Sequence, residues 1–399
     1  MLTQEIITEP VNGAYILRDY QKEASDAAID FFNHPRKKSG IIVLPTGSGK
    51  SLVIADIVNR LNGNIIILQH SREILQQNHE KFISYDPFAD VGIFSASFGS
   101  KESRKVTYAT IGSVYNQMQV FKNFDYIIVD ESHLVNAQKG MYKAFFTYLK
   151  DRKILGLTAS PFRPATNSFG TELRFLTRTR PRVFNEVLYY TQIQELKNRG
   201  YMADMKYYSV SDKFDTNELV VNSTRMDYTD ESVRSYYEKI HFEERIAEIT
   251  ERLLKAGRKN VLVFTKFIDE SESVCKMLGD KARVVSAYSD KKERSENIRK
   301  FKNGEISVIL NCSALGIGFD YPELDTVLMA QPTRSLARWY QFAGRCCRPH
   351  KNKEESWVVD MCGTYERFGK IEDLVLENDG GNMWYYSSRG KQLTNVYLD

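Results

Sequence analysis

The stretch Ile41-Ile42-Val43-Leu44-Pro45-Thr46-Gly47-Ser48-Gly49-Lys50-Ser51 decides the fold class of this chain. Four apolar residues read as a buried strand. A loop of small residues follows, and Lys50-Ser51 opens a helix. Such a loop turns backbone N–H groups inward onto an anion. Thr46, Gly47, Ser48 and Gly49 form the cradle. Lys50 reaches the β/γ-phosphates, and the Ser51 hydroxyl is placed to ligate Mg²⁺. The full pattern G-x-x-x-x-G-K-[ST] has a glycine where Leu44 stands, so the match is physical rather than literal. An ordinary Gly/Ser turn before a helix is the plain alternative.

Working outward, apolar runs alternate with helix-like stretches. Residues 50–61 place Leu52, Val53, Ile57, Val58 and Leu61 on one helical face. Runs at 65–68, 106–111, 126–129 and 154–157 read as strands buried on both faces, as parallel strands are. A second series starts near Tyr207 and continues at 261–265, 284–287, 306–310, 326–329 and 357–360. The stretch 195–203, with Gly200, separates the two series. The expected architecture is α/β: two tandem doubly wound parallel-sheet domains, 1–203 and 204–399, with a ligand cleft between them.

Asp130-Glu131-Ser132-His133 ends one of these strands, where carboxylates face the ligand crevice. Asp130 is placed to hold Mg²⁺, and Glu131 to orient and deprotonate an attacking water. A solvated acidic turn is the alternative, weakened by a phosphate loop in the same sheet. Arg18, Tyr20 and Gln21 precede the phosphate-loop strand. A glutamine amide can read an adenine edge while Arg or Tyr stacks on the ring; a plain helix-start glutamine is the bland reading. In the second half, Arg345 and Arg348 are three apart, and a shared helical face would aim both across the cleft as arginine fingers.

Charge and cysteine content narrow the class. Net charge is +4 over 399 residues, too mild to argue nucleic-acid binding by itself. Cysteines at 275, 312, 346, 347 and 362 show no C-x-x-C or Cys/His spacing, which argues against zinc and for a reducing cytoplasm. No apolar run approaches the ~20 residues of a membrane span. Residues 1–5 carry neither a basic region nor an apolar core, so no signal peptide is expected.

The ordered set resembles superfamily 2 helicases, whose domains are RecA-like. It comprises Tyr20-Gln21, the 45–51 loop, His70–Leu75, Thr110–Val114, Asp130–His133, Thr158-Ala159-Ser160, Val263–Thr265, Gly316–Asp320 and Gln341–Arg348. Within that superfamily the chain is similar to bacterial RadD-like DNA repair ATPases, then to type III restriction-subunit motors. The resemblance implies an ATP- and Mg²⁺-dependent helicase or translocase acting on single-stranded or branched DNA. It implies roles in repair, recombination or mobile-element DNA metabolism, a monomeric chain, and a single-strand-binding or recombination protein as partner. It assigns His133, Thr158, Ala159, Ser160 and Gln341 to coupling, Gly318 and Asp320 to the nucleotide, and Arg72, Thr110 and Thr265 to the nucleic-acid backbone. An RNA helicase and a restriction motor subunit are the rival readings, and an inactive binding module is a third. Arg174, Arg178, Arg180 and Arg182 fit either DNA phosphates or a solvated loop. Trp384-Tyr385-Tyr386 fits base stacking or, better, packing on the second domain.

Overall fold

The computed structural model describes residues 16–312 and 321–398. Residues 1–15, 313–320 and 399, with Gly318 and Asp320 among them, lie outside the described residues.

The first sheet has eight strands. Its order is Glu186–Tyr190, Ser39–Val43, Lys153–Thr158, Tyr126–Asp130, Ile65–Gln69, Val106–Thr110, Val91–Ser95 and Ser100–Lys101. All neighbours are parallel except the short last strand, which runs antiparallel at the edge. The central strands Ser39–Val43 and Ile65–Gln69 are buried at every position, which is why their apolar runs lack alternation. The order also sets the site. Three neighbouring strands carry the phosphate loop, Thr158–Ser160 and the acidic turn at their carboxyl ends, so motifs far apart in sequence converge at one crevice.

The second sheet is six-stranded and parallel. Its order is Met205–Ser209, Ser356–Asp360, Thr326–Met329, Val261–Thr265, Val308–Cys312 and Ala282–Ser286. The first sheet thus takes its last strand at 186–190 and the second its first at 205–209. The helix Lys50–Arg60 is buried more widely than one face: Ile54, Ala55 and Asp56 join Val53, Ile57 and Val58, while Leu52 is only half-buried. Asp56 is tolerated there because Ser25 and Tyr85 donate hydrogen bonds to its carboxylate and Arg60 pairs with it.

Two features were not legible as strands. Residues Phe162–Asn167 and Gly170–Phe175 form an antiparallel hairpin beside the first sheet. Its second strand alternates buried and half-buried residues, with Leu173 and Phe175 turned inward. Arg174 pairs with Glu172 on the other face. The C-terminal segment folds into a small sheet, Leu374–Asn378, Trp384–Ser388 and Lys391–Gln392, and returns to the first domain. Tyr386 packs edge-on against Phe162 (5.8 Å) and Trp384 against Tyr190 (5.1 Å). Asn395 N–H donates to Leu173 O, and Leu398 N–H to Thr171 O. Trp384 and Tyr386 therefore also pack against the first domain, while Tyr385 bonds Glu377 and Asp379 within the small sheet. The chain must cross back because Phe162 and the hairpin would otherwise expose an apolar face.

Tyr386 is buried at this junction. Tyr386→Ala removes an aromatic body from a packed contact and is expected to cost about 3 kcal/mol. The urea unfolding midpoint checks it, together with faster proteolysis within 162–175.

Candidate nucleotide site between the two domains

Gly47 and Gly49 adopt φ of +81° and +79°, a region L side chains avoid. Space forbids a side chain as well. A Cβ on Gly47 would lie 2.6 Å from the Cys347 sulfur, and one on Gly49 would lie 2.6 Å from Gln21 Nε2. The loop is pinned from behind. Tyr20 Oη–H donates to Ser48 O at 2.7 Å, and Gln21 Nε2–H donates to the same oxygen at 2.8 Å. Gln21 Oε1 accepts the Arg18 N–H at 2.9 Å. The Gln21 amide thus ties the phosphate loop to the helix start with one N–H and one oxygen lone pair of the two each that an amide carries. Arg18 sits 4.8 Å over the Tyr201 ring, a cation–aromatic contact.

Asp130 closes its strand and is 5% exposed. Glu131 follows with φ +49°, strained for a residue with a side chain. That turn swings its carboxylate toward Lys50, whose Nζ lies 3.9 Å from Oε1. Burial and the neighbouring Glu131 charge push the Asp130 carboxyl up. Burial also acts on Glu131, but the Lys50 charge, the His133 hydrogen bond and charge, and Arg345 outweigh it and hold Glu131 low. The balance favours the ionised form of Glu131, as a base requires.

His133 Nδ1 lies 3.3 Å from Glu131 Oε2 and 2.9 Å from Thr158 Oγ1. Thr158 Oγ1 in turn accepts the Ser160 N–H at 3.1 Å. A continuous polar path runs from the base to the 158–160 turn.

The second domain completes the enclosure. A cavity of about 100 Å³ is lined by Thr46, Lys50, Ser51, Glu131, Ala159 and, from the other side, Gln341, Arg345 and Arg348. The arginines are not on a shared helical face. The helix Leu336–Ala343 ends before them, Arg345 lies in the tight turn Gly344–Cys346, and Arg348 follows. Pro349 bars the helical region to the residue before it. Both still reach the cavity, and burial pushes each guanidinium down to about 10, against the Glu131 charge for Arg345 and together with Arg18 for Arg348. The domains are shut tightly: Cys347 Sγ–H donates to Thr46 O at 3.3 Å, and Arg294 pairs with Glu73 across the cleft at 2.9 Å. Ligand pockets usually need roughly 300–1,000 Å³, so entry of a nucleotide requires the domains to part.

Ser51 and Asp130, the expected cation ligands, offer hard oxygen donors of the kind Mg²⁺ takes. They are joined through Asn78, which sequence reasoning missed. Its signal was a polar residue four positions after Ile74 in the apolar stripe Ile74, Leu75 and Phe82.

The backbone-contact residues are placed unevenly. Arg72 lies over Phe98 at 4.3 Å and donates to Ser97 O. Thr110 Oγ1 bonds Ser113 and Ser95 at 3.0 Å each. Thr265 is 1% exposed and bonded to Ser271 and to Asn311 O, so its side chain is turned away from any surface strand.

Residues 14–163 match the family described as type III restriction enzyme, res subunit, and residues 244–350 match the helicase conserved C-terminal domain. The chain is 26% identical over 374 residues to the putative ATP-dependent helicase IRC3 of Saccharomyces cerevisiae, covering 88% of this chain and 52% of that protein. It is 25% identical to the DNA 3'-5' translocase XPB2 of Sulfurisphaera tokodaii, covering 86% and 81%. The chain thus spans about half the length of the yeast relative. Its fold is shared with the DNA-bound ATP-dependent type ISP restriction-modification enzyme LlaBIII, at TM-score 0.62, 17% identity, and coverage of 88% of this chain and 28% of that one. With tandem parallel sheets, a phosphate loop on one and an arginine pair facing it from the other, the chain is a superfamily 2 helicase whose residues 14–163 match the type III restriction-subunit family.

Proposed function

We propose that this chain is an ATP-dependent DNA translocase or helicase, with ATP hydrolysed between domains 1–203 and 204–399. The observation that carries the reading is the single cavity where Lys50 and Glu131 meet Arg345 and Arg348. Lys50 and the loop amides bind the phosphates. Glu131 orients the attacking water and takes its proton. Arg345 and Arg348 stabilise charge on the transferring phosphoryl group, which they can do only when the domains are together. A Mg²⁺ ion held by Ser51 and Asp130 would neutralise the β/γ oxygens. His133 and Thr158 relay the state of Glu131 to the 158–160 turn. Arg18 stacks on the base, and Gln21 bonds the adenine edge with the N–H and the lone pair that it does not use on the loop and the helix start.

Binding of ATP closes the cleft and hydrolysis reopens it, a hinge cycle that shifts one domain along a strand. The C-terminal sheet, docked on the first domain, confines that motion to a hinge rather than free tumbling. DNA is the favoured track. The relatives named as DNA translocases support it, and so does a terminal Asp-Glu-Ser-His in place of Asp-Glu-Ala-Asp. Contacts from Arg72 and Thr110 fall on phosphates, so binding is nearly sequence-independent and salt-sensitive. Arg72→Ala is expected to shallow the slope of log affinity against log salt by about one unit. Fluorescence titrations of DNA at several salt concentrations check this, and an unchanged slope removes Arg72 from the interface. The reading as a whole is tested by ATP hydrolysis with single-stranded, duplex, forked and RNA cofactors. DNA should stimulate more than RNA; stimulation by RNA alone would turn the assignment to an RNA helicase.

A further inference from the structure

Asn78 stands where the helix Arg72–Tyr85 should present an apolar residue. Ile74, Leu75 and Phe82 form the buried face around it, and Asn78 itself is 3% exposed. An amide buried there is costly unless both its halves are bonded. Both are. Asn78 Oδ1 accepts the Ser51 Oγ–H at 2.5 Å, and Asn78 Nδ2 donates to Asp130 Oδ2 at 2.7 Å. The amide cannot sit the other way round, because its carbonyl oxygen would then face the Asp130 carboxylate.

We propose that Asn78 is a positioning residue for the divalent cation, fixing Ser51 and Asp130 as a preset pair of oxygen ligands. The proposal rests on the reading of Ser51 and Asp130 as cation ligands. By accepting the Ser51 proton, Asn78 turns that hydrogen away and leaves the hydroxyl lone pairs for the cradle. By donating to Oδ2 of Asp130, it holds the carboxylate from one side while the Glu131 N–H holds Oδ1 from the other at 2.9 Å. The carboxylate plane is thus locked. One side chain spans both ligands, so it also sets their spacing. A small cation with a strict octahedral demand gains from such a preset spacing, because it does not have to order the ligands on arrival. Packing alone does not require this residue: a leucine would fill the same face without crossing to Ser51 and Asp130.

The test uses the full chain and a fluorescent non-hydrolysable ATP analogue, titrated with MgCl₂ and, separately, in EDTA. Asn78→Leu keeps the apolar face filled and removes both hydrogen bonds. Loss of such an outer-shell partner is expected to raise the half-saturating Mg²⁺ concentration by roughly 10–100-fold. Analogue affinity in EDTA should stay within about twofold of wild type, since the phosphate cradle is untouched. In a Ser51→Ala background the same substitution should add less than it does in wild type, because only the part that runs through Asp130 is left to lose. An unchanged Mg²⁺ requirement in Asn78→Leu overturns the proposal. So does an equal loss of affinity with and without Mg²⁺, which would mark a packing role. Ser51→Ala and Asp130→Asn serve as controls. If they raise the Mg²⁺ requirement while Asn78→Leu does not, the cation site stands and only the role of Asn78 falls. If none of the three moves it, the ligand assignment falls as well.

Discussion

Glu131→Gln is expected to stop ATP turnover while nucleotide still binds. The amide keeps the size of the side chain but cannot accept the proton of the attacking water. Loss of a positioned general base costs on the order of 10²–10⁴ in rate. The local electrostatics make this substitution selective. Glu131 is held ionised by Lys50 and His133, so the proton-accepting form is the one present at neutral pH. Lys50 loses a charged neighbour 3.9 Å away, leaving its ammonium fully available to phosphate, so affinity should hold or rise. Phosphate release under single-turnover conditions, beside equilibrium binding of a fluorescent nucleotide, separates the two effects. A wild-type rate in this variant would remove Glu131 from the chemistry.

Arg345→Ala carries the other large effect. A finger acts mainly on charge that develops in the transition state, so its removal should lower turnover on the order of 10³-fold or more and change nucleotide affinity far less. Arg348→Ala should follow the same pattern, with some loss of affinity because Arg348 also borders Arg18 near the base region. Point variants test this more cleanly than an isolated first domain. A fragment ending at residue 203 would also strip Tyr386, Trp384 and Asn395 from the 162–175 hairpin and strand 186–190, so its inactivity would have two causes. The measurement is turnover and affinity side by side. Equal loss in both would make Arg345 a binding residue rather than a finger.

Much of this was readable from residues alone, for identifiable reasons. The strands 261–265 and 326–329 stand where their apolar runs predicted them, because a strand buried on both faces leaves an uninterrupted signal. The phosphate loop, acidic turn and arginines converge on one cavity because each follows a motif whose chemistry demands it. What was missed follows from weaker signals. The 162–175 hairpin hides its alternation because a threonine, Thr171, takes one of the buried positions beside Leu173 and Phe175. The C-terminal sheet gives no hint of which domain it will cover, since aromatic content marks burial and not the partner. Thr265 was misplaced for a related reason. At the end of a doubly buried strand, sequence period carries no inside-outside information, and its hydroxyl turned to Ser271. Gln21 was read from residue type, and its bonds to Ser48 O and from the Arg18 N–H, which tie it to the phosphate loop, have no signal in the sequence. The arginine helix failed on Pro349, a breaker whose effect on the preceding residue was available in the sequence.

The central claim is that one ATP site, shared by both domains, is driven by contact with DNA. Phosphate release by the full chain, titrated with single-stranded DNA of two unrelated sequences in wild type and in Arg345→Ala, tests it most directly. The account predicts a DNA-dependent rise in wild type, equal for both sequences and weaker at higher salt, and no such rise in the variant. A wild-type rate indifferent to DNA, or a variant stimulated as strongly as wild type, would contradict it.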